Sequence, residues 1–302
     1  SHRPRLHCHK IFFSNSFKIL PYNSFVIENG LLKLDYLSIL EINGKGSYEL
    51  LQGQITADMD KVSNSNSVIG AICDIKGRAV SSFVVCKETS SDNNFLLIGN
   101  TASIEVAHEV LNKYKPFYDT ELTFASTTYI YGIDEETLIE NFPDTELTKS
   151  FQNYGDAFRV HYLDKQYHLL LTKKRLEKNV LKPEESQVLW LIDDINNLNM
   201  EITQEISGEF TPHELGYPAT ARIDFEKGCY TGQEIVARMH YRAKKLPTVL
   251  LKNSSHKYEI GTKIQSEDNK SIGIVLTRAQ SSDGYSYLLS MNKSFEDQSF
   301  VF

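Results

Sequence analysis

The chain has 302 residues, enough for two or three domains with cores of their own. Its 41% apolar and 24% charged residues describe an ordinary globular protein, and the net charge of −7 argues against a general nucleic-acid binder, which is usually basic. No apolar run approaches the ~20 residues that cross a bilayer. The four cysteines, Cys8, Cys73, Cys86 and Cys229, form no Cys-x-x-Cys pair, so neither a structural zinc site nor a disulfide scaffold is indicated and a reducing compartment is the default.

Residues 1–23 read as an N-terminal extension, disordered or added. Residues 1–27 hold Arg3, Arg5, Lys10 and Lys18 without Asp or Glu, a faint transit-peptide pattern interrupted by Pro4 and Pro21. The expected compartment is the cytoplasm, or the mitochondrial matrix if that pattern is a transit peptide.

Residues 31–41 predict a strand or strand pair, followed by a turn at Asn43-Gly44-Lys45-Gly46 and a helix over 47–51. Gly44-Lys45-Gly46-Ser47 lacks the earlier glycine of a phosphate loop, since Ile39 stands there. Two β-rich runs, 68–75 and 78–86, flank Lys76-Gly77 and predict a hairpin. A strand is expected at 95–98 and a helix at 102–114. Extended segments at 124–132, 158–161 and 168–172 and a helix over 173–180 complete a mixed antiparallel α+β pattern. Pro247 marks a boundary. Beyond it, short strands at 248–252, 263–266, 271–277 and 285–291 predict a small antiparallel β-barrel domain over 247–302.

Between these regions the stretch from Phe225 to Arg238 concentrates a thiol, a cation, two glycines and a helix start. Thr231 and Glu234 have the spacing of a capping box, which places Cys229 two residues before the helix cap, with Lys227 two residues further back. Helix dipole and lysine would both favour a thiolate. From the residues alone Cys229 is as readily a buried structural cysteine, and Glu234 is more readily a cap than a catalytic group. Arg238, His240, Arg242, Lys244 and Lys245 form a basic group that would suit an anionic ligand tail or a solvated helix face.

The octapeptide Lys227-Gly228-Cys229-Tyr230-Thr231-Gly232-Gln233-Glu234 closely resembles the signature of the YgfZ family of folate-binding proteins, relatives of the glycine-cleavage T-protein. Gln52-Gly53-Gln54-Ile55-Thr56-Ala57-Asp58, the hairpin Cys73–Arg78, Gly208–Pro212 and the Ile272-Gly273 and Thr277 pattern are similar to other segments of that family. The resemblance spans about residues 30–300. It implies a T-protein-like fold, with a folate-binding region of two interleaved α+β subdomains over 24–246, and tetrahydrofolate or a one-carbon derivative as cofactor without a stable metal. It also implies an accessory role in iron–sulfur cluster assembly or repair that supports tRNA-modifying enzymes.

Carried over by position, Cys229 and Lys227 would be the reactive pair. Tyr230, Gln233, Glu234 and Arg238 would contact the folate or orient the loop. Trp190, the only tryptophan, would stack on a folate ring, where without the resemblance it reads as a core residue. A second family aromatic falls at Leu37, with Tyr36 beside it. Ala107 stands where T-proteins carry an aspartate, with Glu105 close by, which weakens the alternative reading of a folate-dependent aminomethyltransferase. The implied partners are the folate and iron–sulfur client proteins or assembly factors, with no direct nucleic acid, no membrane and a monomeric chain.

Overall fold

The apolar runs of the first 170 residues form antiparallel strands in two five-stranded sheets of the computed structural model, which describes residues 30–88, 93–243, 246–266, 270–281 and 284–292. The N-terminal extension, Cys8, Lys244 and Lys245 lie outside the described residues. One sheet, ordered β3-β4-β5-β2-β6, uses β2 (Leu37–Asn43), β3 (Val68–Cys73), β4 (Ala79–Lys87), β5 (Asn94–Asn100) and β6 (Glu121–Phe124). The other, ordered β1-β7-β10-β9-β8, takes β1 (Leu32–Lys33) from the start of the described chain. Its other strands, β7 (Tyr129–Asp134), β8 (Phe151–Asn153), β9 (Ala157–Val160) and β10 (Tyr167–Thr172), come later. The chain therefore visits one sheet, builds the second and returns.

Apolar residues from both sheets, including Leu37, Ile39, Ile98, Ile130 and Leu171, meet in a common core with Trp190. Helices α1 (Ser47–Gln54) and α2 (Thr101–Tyr114) bury Leu50, Leu51, Ile104 and Leu111 on the outer face of the β3–β4–β5–β2–β6 sheet. The start of α2 follows from Asn100, whose side-chain oxygen accepts from Ala102 N at 3.1 Å. Helix α3 (Glu135–Asn141) begins likewise, with Asp134 accepting from Thr137 N at 2.9 Å. Pro183 opens α4 (Pro183–Asn196), where its missing N–H costs nothing.

Two expected elements differ. The extended run over 124–132 splits into β6 and β7, which belong to different sheets. Residues 173–180 are not helical. Their backbone is taken by neighbours, with Leu176 N bonded to Tyr131 Oη at 2.9 Å and Asn179 O to Leu31 N at 2.7 Å. Asn179 adopts φ 54°, which breaks helical periodicity. These tertiary hydrogen bonds override a local pattern that favoured helix.

After α4, irregular chain from Met200 to Gly232 leads into α5 (Gln233–Arg242). The C-terminal strands β11 (Pro247–Ser254), β12 (Lys263–Gln265), β13 (Ser271–Ser281) and β14 (Gly284–Asn292) make an antiparallel sheet ordered β11-β14-β13-β12. Val249, Leu276 and Leu288 of this sheet share a core with Cys73 and Ala79 of the β3–β4 hairpin, Val236 of α5 and Tyr217. That core joins the C-terminal sheet to the cysteine region. Among the described residues no helix is long and apolar enough to cross a membrane.

Candidate functional site

Helix α1 ends at Gln54, leaving its last carbonyls in need of donors. They receive the Lys227 ammonium, which donates to the carbonyls of Gln52 at 2.8 Å, Ile55 at 2.7 Å and Ala57 at 2.9 Å. An ammonium has three N–H donors, and all three are used here. Burial pushes the lysine down to about 8. Its hydrogen bonds thus go to the α1 terminus and none remains for the Cys229 sulfur.

Around this anchor the two signature-like segments are sewn together. Thr231 Oγ1 donates to Gln54 Oε1 at 3.0 Å, Asp224 N donates to Thr56 O at 2.9 Å, and Thr56 Oγ1 donates to Arg222 O at 2.5 Å. Thr231 is therefore not the helix cap. Gly232 is, at φ +82°, without a side-chain hydrogen bond, and Cys229 stands three residues before it rather than two. Sterics explain the shift. A Cβ on Gly232 would lie 2.4 Å from Asp74 O, and one on Gly77 would lie 2.8 Å from Ile235 Cβ. The β3–β4 turn packs so closely on this corner that the chain passes through a left-handed residue before helix begins. The backward bond expected of Glu234 is made one position earlier, where Gln233 Oε1 accepts from Tyr230 N at 3.3 Å. Cys229 and Glu234 are exposed, whereas Tyr230 is buried with its ring 5.3 Å from the Lys227 ammonium.

A second polar centre lies in the interior. Lys165 and Asp194 form an ion pair whose side chains are 0% and 3% exposed. The Lys165 ammonium stands 3.5 Å from the centroid of the Trp190 ring. Asn199 Nδ2 donates to Asp194 Oδ1 at 2.7 Å, and Arg222 Nη2 donates to Asn199 Oδ1 at 2.8 Å. Arg222 continues to the carbonyls of Gly70 at 3.2 Å and Phe83 at 3.3 Å, tying the cluster to the sheet. Tyr162 Oη donates to Glu201 Oε1 at 3.4 Å. Burial, then the nearby Asp194 carboxylate, pushes Glu201 up to about 7. Tyr36 and Tyr162 are raised well above the ordinary phenol value, by burial first and then by Glu201 and Asp194.

Tyr162 is also a wall of a cleft of about 670 Å³, with Asp58, Lys61, His161, Asp224 and Phe225 among its lining. Lys61 and Asp224 form an ion pair at this cleft, and His240 stacks on Phe225 with ring centroids 3.7 Å apart. One side chain, Tyr162, thus links an open cleft of ligand size to buried carboxylates. Among the described residues no group of three or more His, Cys, Asp or Glu side chains is placed to hold a metal ion.

Comparison with known proteins fits this layout. A tRNA-modifying protein YgfZ from Colwellia psychrerythraea is 29% identical over 284 residues, covering 88% of this chain and 86% of the relative. One from Vibrio atlanticus is 30% identical over 210 residues, covering 68% of this chain and 64% of the relative. The chain is similar to YgfZ proteins over most of its length. No protein-family model matches it. The crystal structure of a glycine cleavage system aminomethyltransferase T from Bartonella henselae has the same fold, with a TM-score of 0.68 over 89% of this chain and 79% of that one, at 12% identity.

Within this fold the residues singled out by sequence fall into separate places. Trp190 and Leu37 lie in the core between the two sheets, 0% and 7% exposed, and in this arrangement present no ring or side-chain face to the cleft. Tyr36 packs beside them and faces the Asp194 and Glu201 carboxylates. Cys229, Lys227, Tyr230, Gln233 and Glu234 form the anchored loop, and Arg238 is exposed on α5. Ala107 is on the buried face of α2, while Glu105 is exposed on the same helix. Sequence reasoning missed Tyr162, Lys165, Asp194, Glu201 and Arg222. The available signal was Asp193-Asp194 beside Trp190 within an otherwise apolar helical run, where unpaired carboxylates would be costly to bury.

Proposed function

We propose that this protein binds a reduced folate in the 670 Å³ cleft beside the buried carboxylate cluster and acts as an accessory factor in tRNA modification, with Cys229 as its functional thiol. The observation that carries the folate reading is the coupling of an open aromatic cleft to Glu201 through Tyr162. A carboxyl group pushed to about 7 exchanges a proton near neutrality, and Tyr162, which donates to it from the cleft wall, is the group through which that exchange would reach a pterin. The residues fit such a group. Tyr162 and Phe225 offer aromatic surface, Asp58 and Asp224 in the lining offer acceptors, and Trp190 supports Lys165 from beneath. When bound, the folate would supply its reduced ring system or a one-carbon unit, while the chain's residues hold it and exclude water.

The tRNA role rests on the similarity to tRNA-modifying relatives, and the iron–sulfur connection on the signature resemblance. Exposure of Cys229 supports a thiol presented outward, to a client protein rather than to the cleft. Lys227 then acts by fixing the loop.

Titration with tetrahydrofolate, followed through the single tryptophan, tests the folate reading. Trp190 touches the Lys165–Asp194 pair, so a saturable fluorescence change is expected, weakened in Glu201→Gln. Absence of saturation, with no heat of binding by calorimetry, overturns it. For the thiol, Cys229→Ala should fail to restore tRNA modification in a strain lacking the protein while still binding folate. Full restoration removes Cys229 from the function.

A further inference from the structure

The turn between β3 and β4 carries an isoleucine where a turn apex usually carries a polar residue. Ile75 is 82% exposed, and Lys76 beside it is exposed as well. The turn itself is tied down. Asp74 Oδ1 accepts from Lys76 N at 2.8 Å and from Arg78 N at 2.9 Å, and Asp74 O accepts from Gly77 N at 3.0 Å. Ile75 thus adds little to any core and is held outward in a fixed place, as an anchor that enters a partner's pocket is held.

This apex stands beside the thiol loop. A Cβ on Gly232 would lie 3.3 Å from Gly77 Cα, so the turn and the start of α5 touch. Ile75 is two residues from that contact and Cys229 three, at most about 7 and 11 Å of extended chain. Ile235 is itself 37% exposed, and Arg238 and Arg242 follow it on the same face of α5. Two isoleucines therefore rise near an exposed cysteine among four exposed cations, Lys76, Arg78, Arg238 and Arg242. None of the four forms an ion pair with a described residue, and Arg78 donates instead to the Glu209 carbonyl. The exposed carboxylates beside them are Glu209 and Glu234, whereas Asp74 is engaged by the turn and Glu226 lines the larger cleft.

On a chain of net charge −7 this is a local excess of cations around apolar anchors. It matches one kind of occupant, a protein face with an apolar pocket and an acidic rim. A phosphodiester strand would meet the cations but leave the isoleucines in water, and the net charge of the chain repels it at range.

We infer that Ile75 and Ile235, set among these cations, form a docking surface for an acidic partner protein and bring that partner to Cys229. The inference rests on the reading of Cys229 as a thiol presented to a client, and adds where the client sits and what its face carries.

Restoration of tRNA modification in a strain lacking the protein tests it. Ile75→Asp should lower restoration about tenfold, the loss of one apolar anchor, and Lys76→Glu by less, while Ile75→Leu keeps it. Both altered positions are exposed, so the variants should still fold, bind tetrahydrofolate and be alkylated at Cys229. Full restoration by Ile75→Asp, while Cys229→Ala fails, overturns the docking surface and leaves the thiol reading intact. If Cys229→Ala itself restores modification, the thiol reading fails and this inference with it. A photoreactive p-benzoylphenylalanine in place of Ile75 identifies the class of occupant. Irradiation in the same strain should give an adduct with an acidic protein, sensitive to protease but not to ribonuclease, and weakened by Arg242→Glu. A ribonuclease-sensitive adduct, or one unchanged by that charge reversal, overturns the inference.

Discussion

Two lysines are buried among the described residues, and the chain satisfies them in opposite ways. Lys165 meets a full negative charge, Asp194, and an aromatic face, in a cluster built from α4, the segment before β10 and the irregular chain after α4. Lys227 hydrogen-bonds only to dipoles, three carbonyls at and just beyond the end of α1, with Asp58 and Asp224 as unbonded charges nearby. The first arrangement neutralises charge in the interior beneath a cleft. The second leaves a net positive charge at the base of an exposed thiol loop, held by groups that cannot titrate. Charge pairing builds the polar floor under the proposed ligand site, whereas carbonyl capping fixes the thiol loop to the rest of the fold.

The sharpest way to break this contrast is to remove one partner of the ion pair. Asp194→Asn leaves Lys165 buried without its counter-charge and frees Asn199 from a carboxylate acceptor, and should cost about 3–5 kcal/mol in urea unfolding. Replacing both members, Lys165→Met with Asp194→Leu, should cost less than the sum of the single changes, because no buried charge remains unpaired. Additive losses would mean the two side chains act independently and the contrast is false.

Lys227→Met should have a smaller effect, about 2 kcal/mol, since the carbonyls at the α1 end lose charge-assisted donors but a full countercharge is not orphaned. Its pH signature differs as well. The folded lysine titrates near 8, below its ordinary 10.5, so the unfolded chain holds more protons between those values. The destabilising part of its burial is therefore relieved as pH rises through that window, and the variant should flatten the rise. A wild-type stability curve that falls there relative to Lys227→Met would contradict the carbonyl cage.

This difference between the regions also decided what could be read in advance. The α+β class, the β3–β4 hairpin, α1, α2 and the C-terminal strands were legible because each rests on local periodicity and on turn residues such as Lys76-Gly77. The thiol loop was legible as a motif but not in its bonding. Nothing in Lys227-Gly228-Cys229 says that the ammonium turns to Gln52, Ile55 and Ala57, far earlier in the chain, or that Asp74 forces Gly232 to delay the helix. The buried cluster was almost illegible. Tyr36, Tyr162, Lys165, Asp194, Glu201 and Arg222 come from scattered segments, and only the folded sheets bring them together. Residues 173–180 failed for the same reason, since Tyr131 and Leu31 claim their backbone groups.

The floor of the cleft can be separated from the loop by pH alone. Glu201 is held near 7 against an ordinary 4.5, so the folded protein binds the extra proton and this group's contribution is complete below about 4.5 and lost as pH rises through 7. Glu201→Gln should therefore be more stable than the unaltered protein at pH 8 and lose that advantage by pH 5, read as the difference between paired unfolding curves. Taking the difference matters because His161, His168 and His213, all pushed down chiefly by burial, act the opposite way and weaken the fold as pH falls below about 6.5. A Glu201→Gln difference that is flat with pH would place the carboxyl in water rather than beside Asp194.

The smallest stability effect belongs to the residue with the largest proposed functional one. Cys229 is exposed, and a Cβ on its neighbour Gly228 would meet nothing within 4 Å, so the side chain contributes little packing. Cys229→Ser should change stability by no more than about 0.5 kcal/mol, well below Lys227→Met two residues away. Cys73 and Cys86 are buried and pushed upward by that burial, Cys73 to about 12, so neither supplies thiolate near neutrality. Brief iodoacetamide treatment of the native protein, mapped by peptide mass, should therefore modify Cys229 and spare Cys73 and Cys86, with all three reacting in urea. Lys227→Met sharpens the point. If the carbonyl cage holds the loop in one conformation, its loss should change the rate at which Cys229 is alkylated while Cys73 and Cys86 stay protected. An unchanged rate would separate the anchor from the thiol and leave Lys227 as a helix-end cap alone.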